Sequence, residues 1–285
     1  MSDTLPAPAR SVTRRARPRH YAMCPASEFD VVYAINPWMD PSAAVDRDRA
    51  QAQWWTLVDT YRSLGHRVDV MAPVPGLPDM VFAANGAVSA GDRTYGAAFA
   101  HPQRQPEAHA HVDFLRSLGR DVTRPRHTNE GEGDFLVLAD RILAGTGFRT
   151  STDAHDEAAA VLGRPVVTLE LVDPRFYHLD VAIGVLDDGH GDAPADIVWF
   201  PGAFSESSRA VLRALFPGSW ECSASDALAF GLNLVSDGLN VVLPHRATGL
   251  AEGLTARGYR PVPVDLDEFV KGGGSVKCCT AELHA

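Results

Sequence analysis

The chain has 285 residues, of which 45% are hydrophobic and 22% charged, and its formal net charge is −10. That composition excludes a wholly disordered, collagen-like or coiled-coil chain, and the length suits one large domain or two small ones. No apolar run reaches the roughly 18 residues of a membrane helix, and the N-terminus lacks the apolar core of a secretory signal.

The first segment in chain order is a basic arm, 1–20. It carries five arginines against Asp3, for +4, so residues 21–285 carry −14. The arm is expected to be disordered, and 21–285 to form a single α/β domain. An acidic body argues against nucleic acid as partner and tolerates a cationic small molecule. Cys24, Cys222, Cys278 and Cys279 are too scattered for a disulfide framework, which points to the cytoplasm.

Five times a helix-like stretch runs through a glycine into a valine-rich run. The instances are YRSLGHRVDVM, LRSLGRDV, AAVLGRPVVTLELV, VLRALFPGSW and LTARGYRPVPV. The glycines Gly65, Gly119, Gly163, Gly218 and Gly258 are 40 to 55 residues apart. Glycine just past a helix supplies the left-handed conformation that ends it, and the runs that follow read as strands. Between them DMVFAANGAVSAG, DFLVLADRILAG, LDVAIGVLDD and LNLVSDGLNVVLP read as further strands. Their hairpin turns fall at Gly91-Asp92, Ala139-Asp140 and Asp237-Gly238. The unit is strand, strand, helix, strand. Five such units favour a closed five-bladed α/β ring over an open sheet. No nucleotide-binding glycine motif is present.

Reactive residue types recur with a similar period: Asn36, Asn85, Glu130, His178, Asn233 and Cys278. If each unit begins at a central channel, these side chains converge there. Cys278 follows three glycines, and Lys277 beside it would favour the thiolate; the competing reading is a buried structural cysteine. Cys279, on the opposite face of a strand, would be core packing. His178 suits acid/base work, and H-L-D spacing puts Asp180 on its face of a strand, to orient it or to bind a cation. The other ten histidines read as surface residues, and His109 and His111 do not face each other as a metal pair would. Glu130, Glu132 and Asp134 form an acidic turn that is either solvated or grips a guanidinium. Arg104 and Arg149 could each fork a substrate carboxylate.

Together MCPASEFDVVYAINPWM, PGLPDMVFAANGAV, NEGEGDFLVL, GTGFRT, DPRFYHLD and GGGSVKCCT resemble the guanidine-modifying superfamily, the penteins, from about Tyr21 onward. The resemblance implies a five-bladed α/β propeller and a cysteine hydrolase acting on a small-molecule guanidino substrate. It implies that Cys278 attacks the guanidinium carbon, that His178 is general acid/base, and that Glu130 and Asp180 hold the guanidinium nitrogens through a thiouronium intermediate. No metal or organic cofactor is implied. Asn36 and Asn85, where deiminases and dimethylargininases usually have aspartate in the second position, look like arginine dihydrolases, which form ornithine, carbon dioxide and ammonia. Arg104 and Arg149 match that subgroup's carboxylate-binding positions. Longer dihydrolases carry an extra C-terminal domain that this chain is expected to lack. Arginine deiminase, dimethylargininase, amidinotransferase and a non-catalytic binding propeller stay open as alternatives, as does homo-oligomerisation. E-G-E-G-D can be registered on Glu130 or Glu132; Glu130 keeps the longer family spelling.

Overall fold

The computed structural model describes residues 14–190 and 194–284. β1 (His20–Met23) is followed by an irregular segment, 30–46, and then by α1 (Arg47–Ser63). The Asp46 carboxylate caps α1 by accepting from the Arg49 N–H. Gly65, at φ +87°, turns the chain into β2 (Arg67–Val70), parallel to β1.

The next three units share one plan. β3 (Ala87–Ala90) and β4 (Arg93–Gly96) form a hairpin, α2 (Glu107–Ser117) crosses over, and β5 (Asp121–Thr123) returns parallel to β4. β6 (Phe135–Val137), β7 (Ile142–Thr146), α3 (Thr152–Leu162) and β8 (Val166–Glu170) repeat it. So do β9 (Ile183–Asp187), β10 (Asp196–Trp199), α4 (Glu206–Leu215) and β11 (Trp220–Glu221). The fifth unit adds a short helix first: α5 (Ala224–Leu228), β12 (Val235–Ser236), β13 (Asn240–Pro244), α6 (Thr248–Ala256), β14 (Arg260–Val264). After α7 (Asp267–Val270), β15 (Ala281–Glu282) pairs antiparallel with β1 and completes the first sheet from the other end of the chain. The result is five three-stranded sheets, each with a central strand, an antiparallel neighbour and a parallel neighbour. The expected hairpin turns and the five left-handed turn glycines are all found where the sequence put them.

The hairpin strands lie deepest, while the parallel outer strands β2, β5, β8 and β14 carry exposed residues. All of β3 and β6 is inaccessible, which is why these segments read as continuous apolar runs without alternation. Trp54, Trp199 and Tyr21 are the largest fully buried side chains.

Three expectations need correction. DMVFAANGAV is not one strand: Pro78–Val81 and Ala83–Gly86 are 3-10 turns, and extended backbone begins at Ala87. An apolar run carries no period with which to tell these states apart. His66, His111 and His155 are buried, not surface residues; His155, for one, bonds Thr168 Oγ1 (2.8 Å) and the Gly145 carbonyl (3.0 Å). The arm was expected to be disordered to residue 20, but Arg14, Arg17 and Arg19 form ion pairs with Asp196, Asp187 and Asp188. Its first part, 1–13, lies outside the described residues. Among the described residues no helix is long and apolar enough to cross a membrane.

Candidate active site

Three of the hairpin units are entered through a 3-10 turn: Ala83–Gly86, Gly131–Gly133 and Leu179–Val181. Asn85 lies within the first of these turns, while Glu130 and His178 immediately precede the second and third. Cys278 sits on a comparable turn before β15, in which the Cys279 N–H donates to the Ser275 carbonyl at 3.1 Å. The strand geometry expected for H-L-D and for Cys278-Cys279 is therefore absent. Tight turns, not strand faces, aim these side chains inward.

Cys278 is buried. Its Sγ donates to Asp180 Oδ2 at 3.2 Å and lies 3.1 Å from Asn233 Nδ2. Burial, and then the Asp180 charge, push the thiol well up. Burial likewise pushes the Asp180 carboxyl up to about 7, against the pull of Lys277. Lys277 does not reach the sulfur as expected; its Nζ donates to Glu132 Oε2 (2.5 Å) and to the Thr280 carbonyl (2.9 Å). Cys279 is fully buried in the main apolar core. The glycines before Cys278 have steric work. A Cβ on Gly273, at φ +85°, would stand 2.7 Å from the Asn36 amide, and one on Gly274 would stand 2.4 Å from the Phe82 ring and 3.0 Å from Cys278 Cβ.

His178 Nε2 meets Glu130 Oε2 at 2.7 Å. A carboxylate only accepts, so Nε2 carries the proton. Nδ1 then has no partner among the described residues. Burial would raise the Glu130 carboxyl, but Arg149 and His178 outweigh it and hold it well below the usual range. Glu132, two residues on, faces Lys277 and the Glu282 N–H (2.8 Å). Asp134, pushed up to about 6 by burial, accepts from Thr150 Oγ1 and the Leu179 N–H and so joins the two turns.

Both arginines already hold glutamates. Arg104 forks Glu107 through Nε (3.0 Å) and Nη2 (2.8 Å) and donates from Nη1 to Asn85 Oδ1 at 2.7 Å. Arg149 Nη1 pairs with Glu130 at 3.0 Å and its Nη2 donates to the Ile35 carbonyl at 2.7 Å. Asn36 is not at a strand end; it lies in the 30–46 segment and donates to the Gly272 carbonyl at 3.1 Å. Twelve buried side-chain polar atoms lack a partner among the described residues, and four of them belong to the candidate site residues and to Asp79: Asp79 Oδ1, Asn85 Nδ2, His178 Nδ1 and Asp180 Oδ1. An orphaned buried polar atom is costly unless something meets it. A Cβ on Gly133 would stand 2.5 Å from Asn85 Nδ2 and 3.1 Å from His178 Nδ1, so that glycine keeps the space between them open. Sequence reasoning missed Asp79 and Glu107. Their signals were a lone carboxylate in the apolar run PDMVF and an Arg–Glu pair at i, i+3.

No family model matches the sequence. The chain is 54% identical over 287 residues to the N(G),N(G)-dimethylarginine dimethylaminohydrolase of Mycobacterium tuberculosis, across 100% of this chain and 93% of that protein. This chain belongs to the guanidine-modifying family. Within the family it is also 35% identical to the bifunctional arginine dihydrolase/ornithine cyclodeaminase AgrE of Nostoc, over 92% of this chain and 37% of that longer protein. The N-terminal domain of the cyanobacterial arginine dihydrolase ArgZ, solved as a cysteine-to-serine mutant bound to substrate, superposes with a TM-score of 0.87 at 31% identity, over 93% of this chain and 98% of that one. Like these guanidine-modifying relatives, the chain is a hydrolase of guanidino C–N bonds.

Proposed function

We propose that the enzyme hydrolyses the guanidinium group of free arginine, with Cys278 as nucleophile and His178 as general acid/base. Cys278 Sγ attacks the guanidinium carbon. The thiol proton, taken first by Asp180 Oδ2, is passed on to His178 Nδ1, which leaves Asp180 ionised; the resulting imidazolium, stabilised by Glu130, gives that proton to the departing ammonia. Water then cleaves the C–S bond of the thiouronium. Asp180 holds a terminal nitrogen, and Asp79, Arg104, Arg149 and Asn36 line the path of the amino-acid end. The cation, once bound, favours the thiolate that burial disfavours.

The observation that carries this reading is the set of unpaired buried polar atoms: Asp79 Oδ1, Asn85 Nδ2, His178 Nδ1 and Asp180 Oδ1. An unmethylated guanidinium presents N–H groups on both terminal nitrogens. Two methyl groups against such a lining would leave a buried acceptor unmet, at about 1–3 kcal/mol. Asn85 Nδ2 is a donor, where an aspartate could only accept, and it suits the oxygen of a ureido group. That supports a second round of hydrolysis: arginine and two waters give ornithine, carbon dioxide and two ammonia. We infer further that the five sheets are the blades of a five-bladed propeller, since β15 joins the last residues to the first sheet. The four free cysteines fit a reducing cytoplasm.

A second reading is dimethylargininase, favoured by the 54% identity to the mycobacterial protein of that name. Mass spectrometry of products from arginine, dimethylarginine, and arginine with glycine separates the readings. Ornithine from arginine, with no accumulating citrulline, is expected. Dimethylamine from dimethylarginine with arginine untouched overturns the substrate; citrulline as sole end product removes the second round; glycine-dependent amidino transfer moves the enzyme to the transferases.

A further inference from the structure

Asn233 belongs to the same recurrent series as Asn85, Glu130 and His178, yet the scheme above gives it no task. Its partners fix its orientation. The Cys278 N–H only donates, so the amide oxygen Oδ1 faces it, at 3.2 Å. The Asp180 carbonyl only accepts, so Nδ2 faces that, at 3.1 Å. The other hydrogen of Nδ2 is then directed at Cys278 Sγ, 3.1 Å away. Sulfur is the acceptor in this contact, because its own hydrogen goes to Asp180 Oδ2. Asn233 is fully buried, so no water competes for these bonds.

The backbone beneath it carries an independent mark. Phe230, at φ +59°, is the one non-glycine residue in the left-handed region among the described residues. Its carbonyl accepts the Asn233 N–H at 2.9 Å. The next residue must be glycine, since a Cβ on Gly231 would stand 2.8 Å from both Ala247 Cβ and the Asp226 carbonyl. Bulky residues hold such a conformation only where their surroundings enforce it, and these positions gather at working sites.

We propose that Asn233 is a further catalytic residue, which aims Cys278 Sγ and stabilises its thiolate by donating from Nδ2; this rests on Cys278 being the nucleophile. In the step, the S–H bond breaks, the proton passes to Asp180 Oδ2, and the electron pair stays on sulfur. The N–H donor of Asn233 then meets a charged acceptor, the stronger case of hydrogen bond. Asn233 thus performs the task that the sequence alone assigned to Lys277, which is turned toward Glu132.

The test removes the amide donor, with its shape kept in Asn233→Asp and its reach shortened in Asn233→Ser. In Asn233→Asp and Asn233→Ser, alkylation of Cys278 by iodoacetamide is followed against pH, with the modified residue located by mass spectrometry, beside the pH profile of kcat/KM. The expected result is an alkylation midpoint raised by about one unit or more and a kcat/KM lowered about tenfold or more. Folded variants with both profiles unchanged, or with only a lower melting temperature, overturn the proposal. If neither variant folds, the parent protein decides. In isotope-labelled protein the Asn233 side-chain amide resonance should shift with the ultraviolet absorbance of the thiolate and stay constant in Cys278→Ser; a constant resonance in the parent overturns the proposal. Turnover retained by Cys278→Ser would instead remove the nucleophile assignment, whatever Asn233 does.

Discussion

Asp180 is the residue whose protonation most directly limits the site. Burial pushes its carboxyl up to about 7, so the folded protein favours the neutral acid over a range where an unfolded chain has already lost the proton. Gripping a guanidinium, and accepting the Cys278 proton, both need the carboxylate. We expect kcat/KM to fall about tenfold per pH unit below about 7; a flat profile between pH 5 and 8, about a unit or two either side, would dismiss this role. The same shift fixes the sign for stability. A raised carboxyl costs stability as pH climbs through the interval between its unfolded and folded values. Asp180→Asn should therefore melt no lower than the parent above about pH 7, while losing roughly a hundredfold or more in kcat/KM. Glu130, just before the neighbouring 3-10 turn, shows the opposite case. One buried carboxyl is held ionised by Arg149 and the other is left to its burial. Residue types and spacing brought both into the candidate set, but their surroundings were not readable, because ion-pair partners such as Arg149 and Lys277 are set by the turn geometry.

At the scale of elements, glycine reports two different constraints, and they make separable predictions. Gly258 ends α6 at φ +81°, and a Cβ there would meet nothing within 4 Å. Gly258→Ala should cost about 1 kcal/mol in stability through backbone strain alone, with kcat unchanged. Gly133 has no left-handed backbone, yet its Cβ would enter the space between Asn85 and His178. Gly133→Ala should remove turnover while shifting the denaturation midpoint little; equal loss of activity in both variants would refute the distinction. The turn glycines were readable in the sequence because a left-handed helix end leaves few alternatives to glycine. The 3-10 turns were not. The run DMVFAANGAV is buried throughout 79–88, so alternation carries no signal, and only at the second turn did the glycines of E-G-E-G-D hint that the chain is not extended.

For the molecule as a whole, the first and last strands of the described residues are tied together, and that tie is electrostatic as well as hydrogen-bonded. β15 pairs with β1, and Arg19, just before β1, bridges Asp188 after β9 (2.6 Å) and Glu282 in β15 (3.1 Å). Arg17 adds a contact to Asp188 at 2.7 Å. The repeat and a closed ring were readable from the period, whereas this electrostatic tie was not: the arginines lie in a stretch whose composition alone suggests a solvated arm, and their partners are more than a hundred residues distant in sequence. Burial would raise Asp188, but Arg19 and Arg17 hold it well below the ordinary carboxylate range. A depressed carboxyl contributes stability above its unfolded value, and that contribution is lost as pH falls toward the folded one. Arg19→Ala leaves Asp188 and Glu282 without this partner in a site where the arginine side chain is only 13% exposed. Removing one member of such a buried group costs about 3 kcal/mol. The variant should therefore unfold at lower denaturant concentration at neutral pH, and its acid unfolding midpoint should move to higher pH as Asp188 regains an ordinary affinity for protons. Scanning calorimetry over a pH series checks both; an unchanged acid limb would mean that the closing strand is held by its backbone pairing alone.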